Sequence, residues 1–156
     1  DAISATAALC EAAAYYKQKG MTLWDAMIAM YEKYGYYKDD VKAITLKGIE
    51  GLEKIQTILE TLRADAPKEI GGYKVLKVRD YTITDLADGK VTPTGLPASN
   101  VLYYELEDDA WVCVRPSGTE PKVKFYYGIK GTSLEEADAK SESLGKEVLA
   151  MIEKML

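Results

Sequence analysis

The stretch Lys122-Val123-Lys124-Phe125-Tyr126-Tyr127-Gly128-Ile129-Lys130 carries the clearest alternation in the chain. Val123, Phe125, Tyr127 and Ile129 fall on one side of an extended backbone, and Lys122, Lys124, Tyr126 and Gly128 on the other. Period-two patterning of this kind marks a strand with one buried and one open face. Such strands occur in antiparallel sheets, because parallel sheets are covered on both sides and read as continuous apolar runs. Downstream, Ser133 and Glu136 form a capping-box pattern that opens a last helix, with Leu134, Ala137, Leu144, Val148, Met151 and Met155 on its expected buried face. Upstream, Val101 to Leu106 and Trp111 to Arg115 are further strand candidates joined by Glu107, Asp108 and Asp109, a hairpin signal. Gly71-Gly72 introduces another strand from Tyr73 to Asp80, and Asp88-Gly89, Pro93, Gly95 and Pro97 mark loop.

Further out, Leu52, Ile55, Leu59 and Leu62 predict a surface helix with one buried stripe, closed by Pro67, after a short β-like run from Val41 to Leu46. Gly35, Tyr36, Tyr37 and the charged run Lys38, Asp39, Asp40 read as a boundary and linker. Before it lie two helices. Ala2 to Lys19 is apolar most of the way round and is expected to be buried on several sides. Leu23 to Tyr34 has a cap at Thr22, with Asp25 three residues on, and Trp24, Met27, Ile28 and Tyr31 on one face. The fold class is therefore α+β, a small antiparallel sheet flanked by helices and preceded by a helical segment. The expected division is 1–38 and 39–156.

Composition narrows the chemistry. The 156 residues include no histidine, so Ser-His-Asp and Cys-His nucleophile systems and His-based zinc sites are excluded. Cys10 and Cys113 are too few for a four-cysteine metal site and read as buried core thiols. The net charge of −5 argues against general nucleic-acid binding. The longest apolar stretch falls short of the ~20 residues of a membrane span, and the cysteine usage fits a reducing cytoplasm.

Between the last two strand candidates lies Arg115-Pro116-Ser117-Gly118-Thr119-Glu120-Pro121-Lys122. These residue types suit a phosphate: a forked guanidinium at Arg115, hydroxyl donors at Ser117 and Thr119, and Gly118 to let backbone N–H groups approach and curve into a nest. Pro116 and Pro121 restrict the loop, and Lys122 or Lys124 could add a second charge. From Arg115 to Lys130 there are four basic residues against the single acidic Glu120, a local +3 within an acidic chain. The competing reading is a plain turn followed by the solvated face of a strand. Among the 12 tyrosines, Tyr126 on the lysine face is the one placed to meet a ligand.

The run Arg115 to Lys124 resembles the carboxy-terminal phosphate-binding loop of the α-D-phosphohexomutases, the phosphoglucomutase and phosphomannomutase superfamily. The resemblance extends along most of the chain. Asp1-Ala2-Ile3 looks like the start of a helix late in that family's third domain, and Pro67 to Val75 like the beginning of its fourth. Gly95-Leu96-Pro97-Ala98-Ser99-Asn100-Val101-Leu102 is similar to the bacterial phosphoglucomutase branch. What the resemblance implies is a TATA-box-binding-protein-like domain four over 39–156, preceded by the helical end of domain three over 1–38. It implies a substrate phosphate held by Arg115, Ser117, Gly118, Thr119 and Lys124, where many members have arginine in place of Lys124. It also implies a cytoplasmic mutase interconverting glucose 1-phosphate and glucose 6-phosphate through a phosphoserine, Mg2+ and glucose 1,6-bisphosphate. The phosphoserine, metal and sugar loops of the family have no counterpart in this sequence. No catalytic or metal-ligating residue is therefore expected here, and the chain alone is expected to be inactive and to depend on upstream domains of a parent chain. The alternatives are a phosphomannomutase or phosphoglucosamine mutase parent, or a stand-alone anion-binding or interaction module. Expected partners are a phosphosugar and the upstream domains, with no nucleic acid and no membrane.

Overall fold

The computed structural model describes residues 1–82, 84–85 and 96–156. The expected loop residues Asp88, Gly89, Pro93 and Gly95 lie outside them. The chain forms two compact units, Asp1–Tyr36 and Tyr37–Leu156.

The first unit is two helices, α1 (Ala2–Gln18) and α2 (Leu23–Tyr34). Asp1 caps α1 by accepting the Ser4 N–H at 2.8 Å. Thr22 and Asp25 form a reciprocal capping box on α2, each side chain accepting the other's backbone N–H. The expectation that α1 is buried on several sides is not met within this unit: neither helix contains a buried residue, and Ile3 and Leu9 are exposed. A lone pair of helices offers each member one partner, so only one stripe of an all-round apolar helix can be covered.

The second unit is a sheet with helices α3 (Gly48–Ala64) and α4 (Leu134–Glu153). Its strands are β1 (Tyr36–Thr45), β2 (Glu69–Ile70), β3 (Tyr73–Asp80), β4 (Thr84–Asp85), β5 (Leu102–Leu106), β6 (Trp111–Pro116) and β7 (Lys122–Gly131). They lie in the order β1-β7-β6-β5-β3-β2, with β4 paired to β3. The β2–β3, β3–β4, β3–β5, β5–β6 and β6–β7 pairs are antiparallel. The α+β class expected from the sequence is what the chain adopts.

The charged run at Lys38 to Asp40 is strand rather than linker. The β1 strand stands at one end of the sheet order, where a row of exposed charged side chains is tolerated and discourages edge-to-edge association. Two of its charges are tied into the unit, Lys38 to Asp138 at 2.8 Å and Asp40 to the Tyr127 hydroxyl at 3.2 Å. The hairpin between β5 and β6 turns at Asp108 and Asp109, both in the left-handed region that aspartate tolerates better than most residues.

Val123, Phe125, Tyr127 and Ile129 are buried, together with Leu102, Tyr104, Leu106, Val112 and Val114 on the neighbouring strands. Helices α3 and α4 both pack on β7. In α3 the buried residues are Gly51, Ile55, Ile58, Leu59 and Leu62; Leu52 is half exposed, contrary to expectation. In α4 the buried face runs through Ala137, Ser141, Leu144, Gly145, Val148 and Ile152, while Leu134, Met151 and Met155 are only partly covered. Ser133 caps α4 as expected, but the Glu136 carboxylate accepts from the Thr132 N–H and hydroxyl, one residue before the cap.

A part-buried ion pair ties the end of β3 to α3, and the same arginine reaches the chain just before β5. Arg63 Nε donates to Asp80 Oδ2 at 2.9 Å, and its Nη2 donates to Asn100 Oδ1. Asp80 also accepts from the Thr82 N–H and hydroxyl. Burial pushes the Asp80 pKa up, but these hydrogen bonds outweigh it and hold the carboxyl below its ordinary value.

Candidate phosphate site

The strand alternation that buries Val112 and Val114 leaves Trp111, Cys113 and Arg115 on the opposite, open face of β6. Register then fixes their neighbours: Arg115 stands opposite Lys124, Cys113 opposite Tyr126, and Trp111 opposite Gly128. On the other side Cys113 stands opposite Tyr103 and Trp111 opposite Glu105. Arg79 of β3 is paired with Tyr103, and its guanidinium donates to Glu105 while lying 5.8 Å from the Tyr103 ring centroid.

At the end of β6 the chain turns through Ser117 to Pro121. The turn is closed by Ser117 N–H donating to the Lys122 carbonyl at 2.7 Å and Lys122 N–H to the Glu120 carbonyl at 2.7 Å. The Leu46 N–H donates to the Pro121 carbonyl at 2.9 Å, tying the loop to the chain just after β1. Arg115, Pro116, Ser117, Gly118, Lys124 and Tyr126 line a niche of about 170 Å³ against this turn. Of the five residues expected to hold a phosphate, four therefore converge. Thr119 does not line the niche; it sits at the turn, its N–H directed to Ser117 Oγ at 3.4 Å.

Gly118 is not among the glycines with positive φ. A side chain there would meet nothing within 4 Å. The fold itself therefore does not require glycine, and the open space lies where a ligand can reach the backbone. Among the described residues neither Arg115 nor Lys124 is engaged in an ion pair, whereas Lys130 is neutralised by Asp109 at 2.9 Å and Arg79 by Glu105. Positive charge on this face is thus concentrated at the niche.

A second cleft, of about 520 Å³, adjoins the niche and shares Arg115 and Tyr126 with it; Tyr103, Trp111 and Cys113 lie on its other walls. Cys113 is partly covered on this open face and Cys10 is exposed, so neither is the core thiol expected. Burial raises the Cys113 thiol pKa, and Arg115 offsets this in part. Tyr103 and Trp111 stack at 5.6 Å between centroids with 13° between planes. Sequence reasoning missed this group, although its signal was present: residues two and four before Arg115 share its face of the strand.

Among the described residues no three His, Cys, Asp or Glu side chains stand together as a metal ligand set. The residues present do not fit a magnesium site, and no metal-dependent step is assigned to them. No helix among the described residues is long and apolar enough to cross a membrane.

Comparison with known proteins agrees with this architecture. Residues 48–144 match the family model described as phosphoglucomutase/phosphomannomutase, C-terminal domain. A phosphoglucomutase from a bovine strain of Staphylococcus aureus is 33% identical over 147 residues, covering 92% of this chain and 26% of the relative. One from Staphylococcus saprophyticus is 32% identical over 129 residues, covering 81% of this chain and 23% of the relative. The chain thus spans about a quarter of the length of these phosphoglucomutases. It belongs to the phosphoglucomutase/phosphomannomutase family and carries that family's C-terminal domain.

Proposed function

We propose that this chain is the substrate-phosphate-binding end of a phosphoglucomutase that interconverts glucose 1-phosphate and glucose 6-phosphate. The observation that carries the reading is the niche itself. Arg115, Ser117 and Lys124, brought from two strands and their turn, face one small space beside an uncrowded Gly118. Arg115 supplies two parallel donors to two phosphate oxygens, Lys124 a point charge, and Ser117 a hydroxyl donor. Thr119 supports Ser117 from the turn. In the parent reaction this end grips the phosphate that is not being transferred, so that binding energy far from the reacting centre positions the other end of the sugar.

The phosphoserine, the Mg2+ site and the glucose 1,6-bisphosphate intermediate of that reaction belong to other parts of a cytoplasmic parent, and this chain alone is inactive. The family description names phosphomannomutases equally, so mannose phosphates are the second substrate class to test.

The test is to titrate glucose 1-phosphate, glucose 6-phosphate, mannose 6-phosphate and inorganic phosphate into isotopically labelled chain and follow backbone amide shifts. Saturable shifts at Ser117 to Thr119 are expected, with an affinity on the order of millimolar because one end of the ligand must be ordered without the rest of its site. Arg115→Ala should abolish them, and Arg115→Lys should weaken binding through loss of the fork. Shifts that survive Arg115→Ala, or none at the loop at all, refute the proposal.

A further inference from the structure

The cleft beside the niche has a shape and a chemistry of its own. Along one row of the open face stand Arg79, Tyr103, Cys113 and Tyr126 on adjacent strands. Cys113, a small residue, separates two tyrosines whose strands lie about 9.5 Å apart at the usual sheet spacing. A planar ring in contact on both faces needs about 7–8 Å between its neighbours, so the gap above Cys113 admits a flat ring. The Tyr103–Trp111 stack stiffens one wall.

The walls are mostly apolar and aromatic: Arg115, shared with the niche, is the charged residue among them, Ser99 adds one hydroxyl, and Arg79 and Glu105 close by bond each other. A sugar ring placed there would bury hydroxyls without adequate partners, which is unfavourable, while an aromatic ring would not. The niche lies one two-residue step along β6 from the slot, from Arg115 to Cys113, and its charge is that of a phosphate site. On the slot's side of the niche Arg79 and Lys130 are neutralised by Glu105 and Asp109, so an extended polyanion is not matched there; a single phosphate joined to a flat ring is.

We propose that this face is a binding site for a nucleoside monophosphate, its phosphate in the niche at Arg115, Ser117 and Lys124 and its base in the slot between Tyr103 and Tyr126. The inference rests on the phosphate reading of the niche and adds a ligand class to it. Nucleotide and phosphosugar exclude one another there, because both need the same phosphate position.

The experiment uses the full chain carrying Trp24→Phe, which leaves Trp111 as its sole tryptophan and alters an exposed residue of the helical unit. Adenosine monophosphate, ribose 5-phosphate, adenosine and inorganic phosphate are titrated separately. The readouts are Trp111 fluorescence, amide shifts at Ser117 to Thr119, and the rate at which iodoacetamide alkylates Cys113, with Cys10 as internal reference. Adenosine monophosphate should bind about tenfold more tightly than ribose 5-phosphate, the gain expected of one stacked base. It should also change Trp111 emission and slow alkylation of Cys113 but not of Cys10. Tyr103→Ala, a change in the slot and outside the niche, should remove that preference while leaving ribose 5-phosphate affinity unchanged. Equal affinities for the two phosphates, adenosine binding as tightly as its monophosphate, or an unprotected Cys113 each overturn the inference; loop shifts with phosphate would then leave the proposed function standing. Absence of loop shifts with every phosphate compound overturns both.

Discussion

Gly145→Ala is a substitution whose sign depends on the packing of α4 over β7. In an exposed helix interior it would stabilise by about 1 kcal/mol, since glycine is among the poorest helix formers and alanine the best. Here a Cβ on residue 145 would stand 2.2 Å from the Tyr127 hydroxyl oxygen, 2.8 Å from its Cζ and 3.0 Å from Lys42 Cε. Lysine can give way cheaply. The tyrosine ring is fully buried, and its hydroxyl donates to Asp40 at 3.2 Å, so relieving the clash means shifting a core ring or moving the helix. Overpacking of this kind costs about 1–3 kcal/mol, and loss of the Asp40 hydrogen bond adds about 1 kcal/mol. After subtracting the propensity gain, the net destabilisation is about 1–3 kcal/mol, or roughly 4 °C in Tm per kcal/mol for a unit of this size. Urea unfolding of the wild type, Gly145→Ala, Tyr127→Phe and the double variant measures it. Removing the hydroxyl should recover part of the loss, giving a favourable coupling of at least ~0.5 kcal/mol between neighbours in contact. An increase in stability for Gly145→Ala alone, or strict additivity in the cycle, would refute the packing argument.

Arg63→Ala leaves the nearly buried Asp80 with only its Thr82 hydrogen bonds. The expected loss is about 2–3 kcal/mol by denaturant unfolding at neutral pH, below the ~3–5 kcal/mol of a fully enclosed pair because Arg63 is partly exposed. Because the Asp80 pKa is lowered on folding, its contribution is present above the unfolded carboxyl value and fades in acid, so the gap between variant and wild type should narrow as pH falls. The Glu136 carboxyl, held to about 2 first by the Thr132 hydroxyl and then by Lys140 and the Thr132 N–H, should titrate by NMR well below the ordinary 4.5, and Thr132→Val should move it upward. Ile58→Ala should cost about 2–5 kcal/mol and Leu52→Ala less than about 1 kcal/mol, reversing the order that the sequence spacing alone suggests.

The β7 strand was legible because its alternation is strict and one face is wholly buried, so the period in sequence is the period in burial. Helix α3 was legible as a helix and, at Ile55, Leu59 and Leu62, in its facing, but not at Leu52. The spacing of Leu52, Ile55, Leu59 and Leu62 fits one stripe, yet the chain closes its first turn through Gly51. A Cβ there would lie 2.8 Å from the Leu46 Cβ, and the burial passes along Gly51, Ile55, Ile58, Leu59 and Leu62, leaving Leu52 outside it. Composition could not decide this, since both leucine and isoleucine suit either face. The charged start of β1 misled for a related reason: charge argues against a core strand but not against an edge strand. Cys113 was misplaced because a free cysteine is usually buried, whereas the arginine two residues along had already assigned its face.

The residues of the niche proposed for a phosphate were legible in type and only partly in geometry. A turn sequence names donors without saying which of them point the same way. Register supplies that: Arg115 and Lys124 are direct cross-strand partners on the open face, and Ser117 is fixed beside them by its N–H bond to the Lys122 carbonyl, while Thr119 does not line the niche. Like charges opposite one another on a sheet repel and cost stability. Two other cations of this face are neutralised, Arg79 by Glu105 and Lys130 by Asp109, in a chain that carries 25 acidic residues against 20 basic. A chain with carboxylates to spare leaves the opposed pair Arg115 and Lys124 without an ion-pair partner among the described residues, at a turn held by three backbone hydrogen bonds. An anion arriving there relieves a repulsion already present in the folded state, and the rigid turn means that little ordering is needed to receive it.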